Sequence, residues 1–139
     1  MAIQVTTKKF SGRVLVIDDN WISLKLIASM LEGFGLTTVI SDSGQDGIQV
    51  LMDEKFDMIF LDCSMPEVDG YSVSKQVRAF EKSGRRLPII AFTANDSIEN
   101  RQLCKNAGMD GLFAKPYSYT SLEELLQKYF VPMPAVETK

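Results

Sequence analysis

The chain has 139 residues, of which 45% are hydrophobic and 24% are charged, and its formal net charge is −3. This balance fits one globular domain with a single core, and no Lys/Arg stripe points to a nucleic-acid or membrane surface. The sequence contains no histidine, which excludes imidazole metal sites, Ser-His-Asp and Cys-His catalysis and a phosphohistidine-carrier role. Its two cysteines, Cys63 and Cys104, form no C-x-x-C pair. With no signal peptide or long apolar run, we expect a reducing, cytoplasmic location.

Five short apolar segments alternate with five segments of helical spacing. The strand-like segments are residues 14–17, 38–40, 58–61, 89–92 and 112–114. Most are continuously apolar, as expected for strands covered on both faces. Helical spacing is clearest at Leu24, Ile27, Ala28 and Leu31 and at Leu122, Leu125, Leu126 and Tyr129. This order predicts an α/β fold, a doubly wound five-stranded parallel sheet of the flavodoxin-like (βα)5 type.

Two of the helices carry local signals. The fourth, at about residues 97–106, has few apolar positions, so it should bury little and be the most easily displaced helix. Thr120 and Glu123 have the spacing of a capping box at the start of the last helix. Residues 1–12 and 131–139 show no periodic pattern, so we expect loose tails around one domain at residues 13–130.

Polar residues follow four of the predicted strands, at the edge where the carboxyl ends of a parallel sheet meet. Asp18 and Asp19 follow the first strand, Asp62 the third, Thr93 the fourth and Lys115 the fifth. Ionised carboxylates repel one another, and an all-oxygen cluster favours a hard cation such as Mg²⁺. Asp62 is placed to attack phosphorus, while the metal, Lys115 and Thr93 offset charge on the phosphoryl oxygens.

Each of these residues alone has an ordinary structural explanation. An acidic pair after a strand often caps the next helix, and a strand-end Asp or Thr or a surface Lys is commonly structural. Their convergence on one sheet edge favours the chemical interpretation. Cys63 should point away from Asp62, because neighbours in a strand alternate faces, and a packed thiol is the better interpretation for it.

Four segments carry a distinctive pattern: VLVIDDN at residues 14–20, LDCSMPEVDG at 61–70, FTAN at 92–95 and AKP at 114–116. Together they resemble the response-regulator receiver domains of two-component signalling, most of all those of hybrid histidine kinases. The resemblance covers about residues 13–130. It implies that Asp62 is phosphorylated from a phosphohistidine donor. It also implies that Mg²⁺ is held by Asp19, Asp62 and the Ser64 backbone carbonyl, with Asp18 acting largely through a bound water.

The resemblance further implies how the phosphorylated state is recognised. Thr93 would be the switch hydroxyl, Lys115 would pair with the phosphoryl group, and the Lys115–Pro116 peptide bond would be cis. Many family members carry Tyr or Phe three residues before the lysine, where this chain has Leu112. We therefore expect movement of the fourth helix instead of an aromatic rotamer switch.

The implied partners are a histidine kinase's phosphohistidine domain and a histidine phosphotransfer domain, with no nucleic acid and no direct membrane contact. The chain would not be an enzyme beyond catalysing its own phosphoryl transfer and dephosphorylation. A stand-alone response regulator remains the alternative to a piece of a hybrid kinase. An aspartyl-phosphate hydrolase of the haloacid dehalogenase type is more remote, since it needs a second acid where Ser64 stands. A flavodoxin-like cofactor binder shares this topology, but it would need a phosphate-cradling glycine loop, and none follows the first strand.

Overall fold

The computed structural model describes residues 9–63, 70–81, 86–93, 97–114 and 118–132. Within those ranges strands and helices alternate in the predicted order. The strands are β1 (Arg13–Ile17), β2 (Thr37–Ser41), β3 (Met58–Asp62), β4 (Ile89–Thr93) and β5 (Gly111–Ala114). The helices are α1 (Trp21–Gly33), α2 (Gly44–Asp53), α3 (Gly70–Phe80), α4 (Ile98–Asn106) and α5 (Tyr119–Tyr129). No helix in the described part of the chain is long and apolar enough to cross a membrane.

The strands form one parallel sheet in the order β2-β1-β3-β4-β5. This confirms the predicted doubly wound fold. In the register, Ile17 pairs with Leu61, and Thr93 pairs with Ala114. The carboxyl ends of the strands therefore reach the same edge of the sheet, which is where ligands bind in folds of this type.

Alternate residues of the strands build two separate hydrophobic clusters. Val16, Phe60 and Phe92 belong to the cluster that includes residues of α1 and α5. Leu61 and Ala91 belong to the cluster that includes residues of α3 and α4. Every residue of β3 and β4 is buried, whereas the edge strand β2 is largely half-buried. The continuously apolar runs are thus those of strands covered on both faces.

The cap of α5 differs from the prediction. At α2, Ser43 is the cap, and its side chain accepts a hydrogen bond from the Asp46 N–H. The capping box of α5 is made by Ser118 and Ser121. The predicted pair of Thr120 and Glu123 is wrong, because the extended residue before the helix is Ser118 and Thr120 already lies inside the helix.

The N-terminal segment also differs from the prediction. Phe10 is fully buried, its N–H donates to the Phe34 carbonyl (2.8 Å), and its ring packs near those of Phe34 and Phe130. The expectation of a loose tail up to residue 12 is therefore wrong for the described residues 9–12. A single aromatic residue carries no periodicity, so the sequence pattern does not indicate that Phe10 belongs to the core. At the other end Val131 is exposed, and residues 133–139 lie outside the described ranges.

Candidate functional site

Two neighbouring strands bring the predicted acidic residues together. β1 ends at Ile17 and β3 ends at Asp62, and Ile17 pairs with Leu61 across the two strands. Asp18, the residue after Ile17, therefore leaves β1 level with Asp62. Asp18 and Asp62 are 0% and 5% exposed, while Asp19 is exposed. Two buried carboxylates and one that reaches solvent thus share the carboxyl edge of the sheet.

The three carboxylates form a compact cluster. One oxygen each from Asp18, Asp19 and Asp62 lies within 4.8 Å of the others. Three negative charges this close repel one another in a folded chain. Their donor set is all oxygen, which fits a hard divalent cation such as Mg²⁺ in charge and in ligand type.

The acidic pair does not serve as the cap of the following helix. Asn20 caps α1, since its Oδ1 accepts hydrogen bonds from the N–H groups of Ile22 (3.0 Å) and Ser23 (3.1 Å). Asp18 Oδ1 instead accepts from the Asn20 N–H (2.9 Å), which fixes the Asp18 carboxyl against the turn. The ordinary structural explanation for Asp18 and Asp19, a helix N-cap, is therefore not needed at this position.

Thr93 lies at the same edge. It is the last residue of β4 and is buried, and its neighbour Phe92 pairs with Asp62 of β3. Ala114, the last residue of β5, pairs with Thr93. Three of the other predicted features, Lys115, the Ser64 carbonyl and the cis Lys115–Pro116 bond, lie outside the described residues, so they stay predictions.

A family model for the response regulator receiver domain matches residues 14–127, most of the chain. The chain belongs to the response regulator receiver domain family. The family resemblance stated from the sequence motifs is thereby confirmed.

The curated relatives of this receiver domain are much longer proteins. Hybrid signal transduction histidine kinase L of Dictyostelium discoideum is 38% identical over 87% of the chain, which spans 7% of that protein. Probable histidine kinase 1 of Oryza sativa subsp. indica is 31% identical over 87% of the chain, which spans 16% of it. The chain therefore corresponds to a small part of each of these kinases.

Solved receiver domains have the same fold. The receiver domain of a sensor histidine kinase from Pseudomonas aeruginosa, with a magnesium ion in its active site cleft, is 34% identical with a TM-score of 0.77. That match covers 86% of this chain and 97% of the other. The receiver domain of the histidine kinase CKI1 from Arabidopsis thaliana, complexed with Mg²⁺ and BeF₃⁻, is 35% identical with a TM-score of 0.77. That match covers 85% of this chain and 89% of the other.

One residue of this receiver domain has a structural role that the sequence alone does not indicate. Gly70 belongs to the motif at residues 61–70 and is the first residue of α3. A Cβ atom built on Gly70 would lie 2.4 Å from the Asp62 carbonyl oxygen and 2.9 Å from the Cys63 Cα. The backbone of α3 therefore begins in direct contact with the end of β3. The feature of the sequence that could have indicated this role is a glycine at the start of a helix, a few residues after the strand that ends in Asp62.

Cys63 lies on the face of β3 opposite Asp62, as predicted from strand alternation. It packs with Leu61 and Ile59 in the cluster toward α3 and α4, and its Sγ lies 3.8 Å from Cys104 Sγ. Burial raises the pKa of the Cys63 thiol well above its usual value, and burial likewise raises the pKa of Cys104. Both side chains are therefore neutral thiols at physiological pH.

The fourth helix of the receiver buries little, as predicted. Within α4, all of whose residues are described, Cys104 alone is buried. Ile98 and Leu103 are 86% and 48% exposed. Since buried apolar contacts hold a helix in place, the body of α4 is held weakly by apolar packing.

Proposed function

We propose that this receiver domain accepts a phosphoryl group on Asp62 from a phosphohistidine donor, with Mg²⁺ bound at the carboxylate cluster. The observation that carries the proposal is the cluster itself: oxygens of Asp18, Asp19 and Asp62 within 4.8 Å at the carboxyl edge of the sheet. Asp18 and Asp19 are not needed as the cap of α1, because Asn20 supplies it.

Asp62 acts as the nucleophile. A bond forms between an Asp62 carboxylate oxygen and phosphorus, and the nitrogen–phosphorus bond of the donor histidine breaks. Asp18, Asp19 and Asp62 would hold the metal, together with the Ser64 carbonyl that the motif implies. When bound, Mg²⁺ supplies positive charge against the carboxylates and the phosphoryl oxygens.

The remaining residues hold the site in a productive arrangement. The Asn20 N–H fixes the Asp18 carboxyl from the turn after β1. The buried Thr93 hydroxyl, at the end of the strand next to Asp62, is the donor that engages the phosphoryl group after transfer. Lys115 pairs with the same group through its ammonium, as the sequence motif implies.

The relatives support a choice of partners. Because the matched proteins are histidine kinases many times the length of this chain, we place the chain in a hybrid histidine kinase, with a stand-alone response regulator as the alternative. The phosphoryl donor would be a kinase phosphohistidine and the next acceptor a histidine phosphotransfer domain. The helix that follows Asp18 and Asp19, α1, carries the exposed apolar side chains Trp21, Ile22 and Leu26, which offer a docking surface for such a partner. The proposed location is the cytoplasm, where unlinked thiols persist.

In this proposal the chain accepts a phosphoryl group and has no external substrate of its own. Kinase activity would belong to another part of the full-length protein. The chain's catalytic contribution is limited to transfer onto Asp62 and hydrolysis of the resulting aspartyl phosphate.

The test is phosphoryl uptake from acetyl phosphate, read by intact mass with and without Mg²⁺. Wild-type protein should gain one phosphoryl group only when Mg²⁺ is present, and Asp62→Asn should gain none. Asp42→Asn is the matched control, since Asp42 is an exposed acid that follows β2 at the same sheet edge. An adduct that persists in Asp62→Asn, or no adduct in the wild type, would overturn the proposal.

A further inference from the structure

The two cysteines of the chain are in contact between the end of β3, a fully buried strand, and α4, a helix that buries little. Cys63 directly follows Asp62, and Cys104 lies on α4, 41 residues away along the chain. Their sulfurs are 3.8 Å apart, and the side chains are 8% and 4% exposed. Met109 Sδ lies 3.9 Å from Cys63 Sγ on the same side of the sheet.

The C-terminal end of α4 is anchored through backbone carbonyls. Ser74 Oγ donates to the Ala107 carbonyl (2.8 Å), and the guanidinium groups of Arg78 and Arg86 donate to the Gly108 carbonyl at 2.9 and 3.0 Å. These donors come from α3 and from the segment that leads into β4. They fix the C-terminal end of α4 and do not involve the residues within the helix.

The body of α4 buries little apolar surface. The Tyr71 hydroxyl donates to Asn100 Oδ1 at 3.3 Å, a long hydrogen bond. Cys104 is the buried residue of the helix, and it meets Cys63 at the end of the strand that carries Asp62. The sulfur pair therefore lies where the proposed acceptor strand contacts a weakly held helix.

We propose that Cys63 and Cys104 are a site of reversible disulfide formation that clamps α4 onto the end of β3. A disulfide has a sulfur–sulfur bond of about 2.05 Å, so the two sulfurs must approach by about 1.8 Å from their 3.8 Å contact. The weak hold on the body of α4 makes that movement accessible. In reducing compartments, disulfides of this kind are transient and redox-sensing.

The chemistry balances with a peroxide as the oxidant. When α4 moves and exposes one of the thiols, that thiol loses its proton, its sulfur attacks a peroxide oxygen, the O–O bond breaks, and a sulfenic acid and one water result. The second thiol then attacks that sulfur, the S–O bond breaks and a second water leaves. In total the two thiols lose two hydrogens and one hydrogen peroxide becomes two waters. A dithiol reductant reverses the modification by thiol–disulfide exchange.

The consequence for signalling rests on the proposed function. A covalent link from Cys63 to α4 favours the arrangement in which the two side chains are in contact. If phosphorylation of Asp62 draws α4 into another position, the linked form opposes it, because coupling between two sites is reciprocal. The oxidised chain should therefore reach a several-fold lower phosphorylated fraction than the reduced chain at the same acetyl phosphate concentration.

The first experiment reads the bond itself. Folded protein is treated with hydrogen peroxide, and its intact mass and non-reduced peptide map are measured. We expect loss of two hydrogens, a linked peptide pair containing Cys63 and Cys104, and recovery of the starting mass with dithiothreitol. Cys63→Ala and Cys104→Ala should form no intramolecular link. Two free thiols, a sulfinic acid without a link, or a link between two chains would overturn the proposal.

The second experiment separates this proposal from the proposed function. Uptake from acetyl phosphate is compared for reduced wild type, oxidised wild type and peroxide-treated Cys104→Ala. A lower phosphorylated fraction in oxidised wild type alone supports the clamp. Equal uptake in all three overturns the regulatory role even where the link forms. No uptake in the reduced wild type overturns the proposed function, while the mass measurement still decides the disulfide.

Discussion

Gly70, at the start of α3, lies against the backbone of Asp62 at the end of β3. A Cβ at position 70 would be 2.4 Å from the Asp62 carbonyl oxygen, closer than real Cβ contacts come. The atom in the way is backbone, so it cannot rotate aside as the end of a side chain can. The position of the proposed phosphoacceptor and the absence of a side chain at residue 70 therefore depend on each other.

The first prediction follows from this contact. Gly70→Ala should push α3 or Asp62 away from its place, destabilise the fold by about 1–3 kcal/mol and slow phosphoryl uptake. Because residue 70 is the first residue of α3, the helix propensity of alanine offsets little of that cost. Urea unfolding gives the stability, and intact mass after acetyl phosphate treatment gives the uptake.

The control for this variant is Gly33→Ala. Gly33 is the last residue of α1, and a Cβ there would meet nothing closer than Tyr119 at 3.8 Å. We expect it to be neutral or slightly stabilising, with uptake unchanged. Equal behaviour of the two variants would show that space beside Asp62 is not what requires glycine at position 70.

The second prediction concerns repulsion within the carboxylate cluster. Asp19→Asn removes one of three charges whose oxygens lie within 4.8 Å, so the metal-free protein should become more stable. The same change removes a metal ligand, so Mg²⁺ should stabilise the variant less than it stabilises the wild type. The measurement is the urea midpoint of each protein with and without Mg²⁺.

Trp21 supplies a second readout for the cluster. It is the only tryptophan of the chain, is half exposed and directly follows the Asn20 cap of α1. Its fluorescence should change on Mg²⁺ addition in wild type and in the Asp42→Asn control, and change less in Asp19→Asn. An equal Mg²⁺ response in all three proteins would exclude Asp19 as a ligand.

The fold could be predicted from the sequence because strands covered on both faces are continuously apolar. Each predicted strand lies inside the observed one, and β3 and β4 are buried throughout. The candidate site could be predicted for a related reason. A parallel sheet sends the carboxyl end of every strand to one edge, so Asp18, Asp62 and Thr93 had to share it.

The features that could not be predicted depend on the local path of the backbone or on contacts between residues far apart in the sequence. The sequence does not reveal which residue is the N-cap of α5, since Ser118, Thr120 and Ser121 are all suitable residue types. Strand alternation gives the face of Cys63 but not its contact with Cys104, which depends on how α4 crosses the sheet. The lack of room for a side chain at position 70 likewise becomes evident only from the packing of α3 against the end of β3.

The third prediction tests the corrected cap of α5. Ser118→Ala removes the side chain that accepts from the Ser121 N–H and should cost about 1 kcal/mol of stability. Thr120→Ala, two residues on, should change stability by less, because Thr120 is exposed within the first turn. Urea unfolding of both variants makes the comparison. A larger loss in Thr120→Ala would restore the cap predicted from the sequence.

The fourth prediction tests where the folded domain begins. Phe10 is fully buried between the rings of Phe34 and Phe130, so Phe10→Ala should cost about 3–5 kcal/mol. Because its N–H also donates to the Phe34 carbonyl, a fragment starting at residue 13 should be destabilised at least as much. Lys9→Ala is the matched control: Lys9 is exposed, its ammonium donates to the Gly33 carbonyl (2.6 Å), and its loss should cost under about 1 kcal/mol. If the fragment from residue 13 unfolds at the same urea concentration as the full chain, residues 9–12 add nothing to the core. The domain would then begin at β1, where the hydrophobic periodicity alone had placed it.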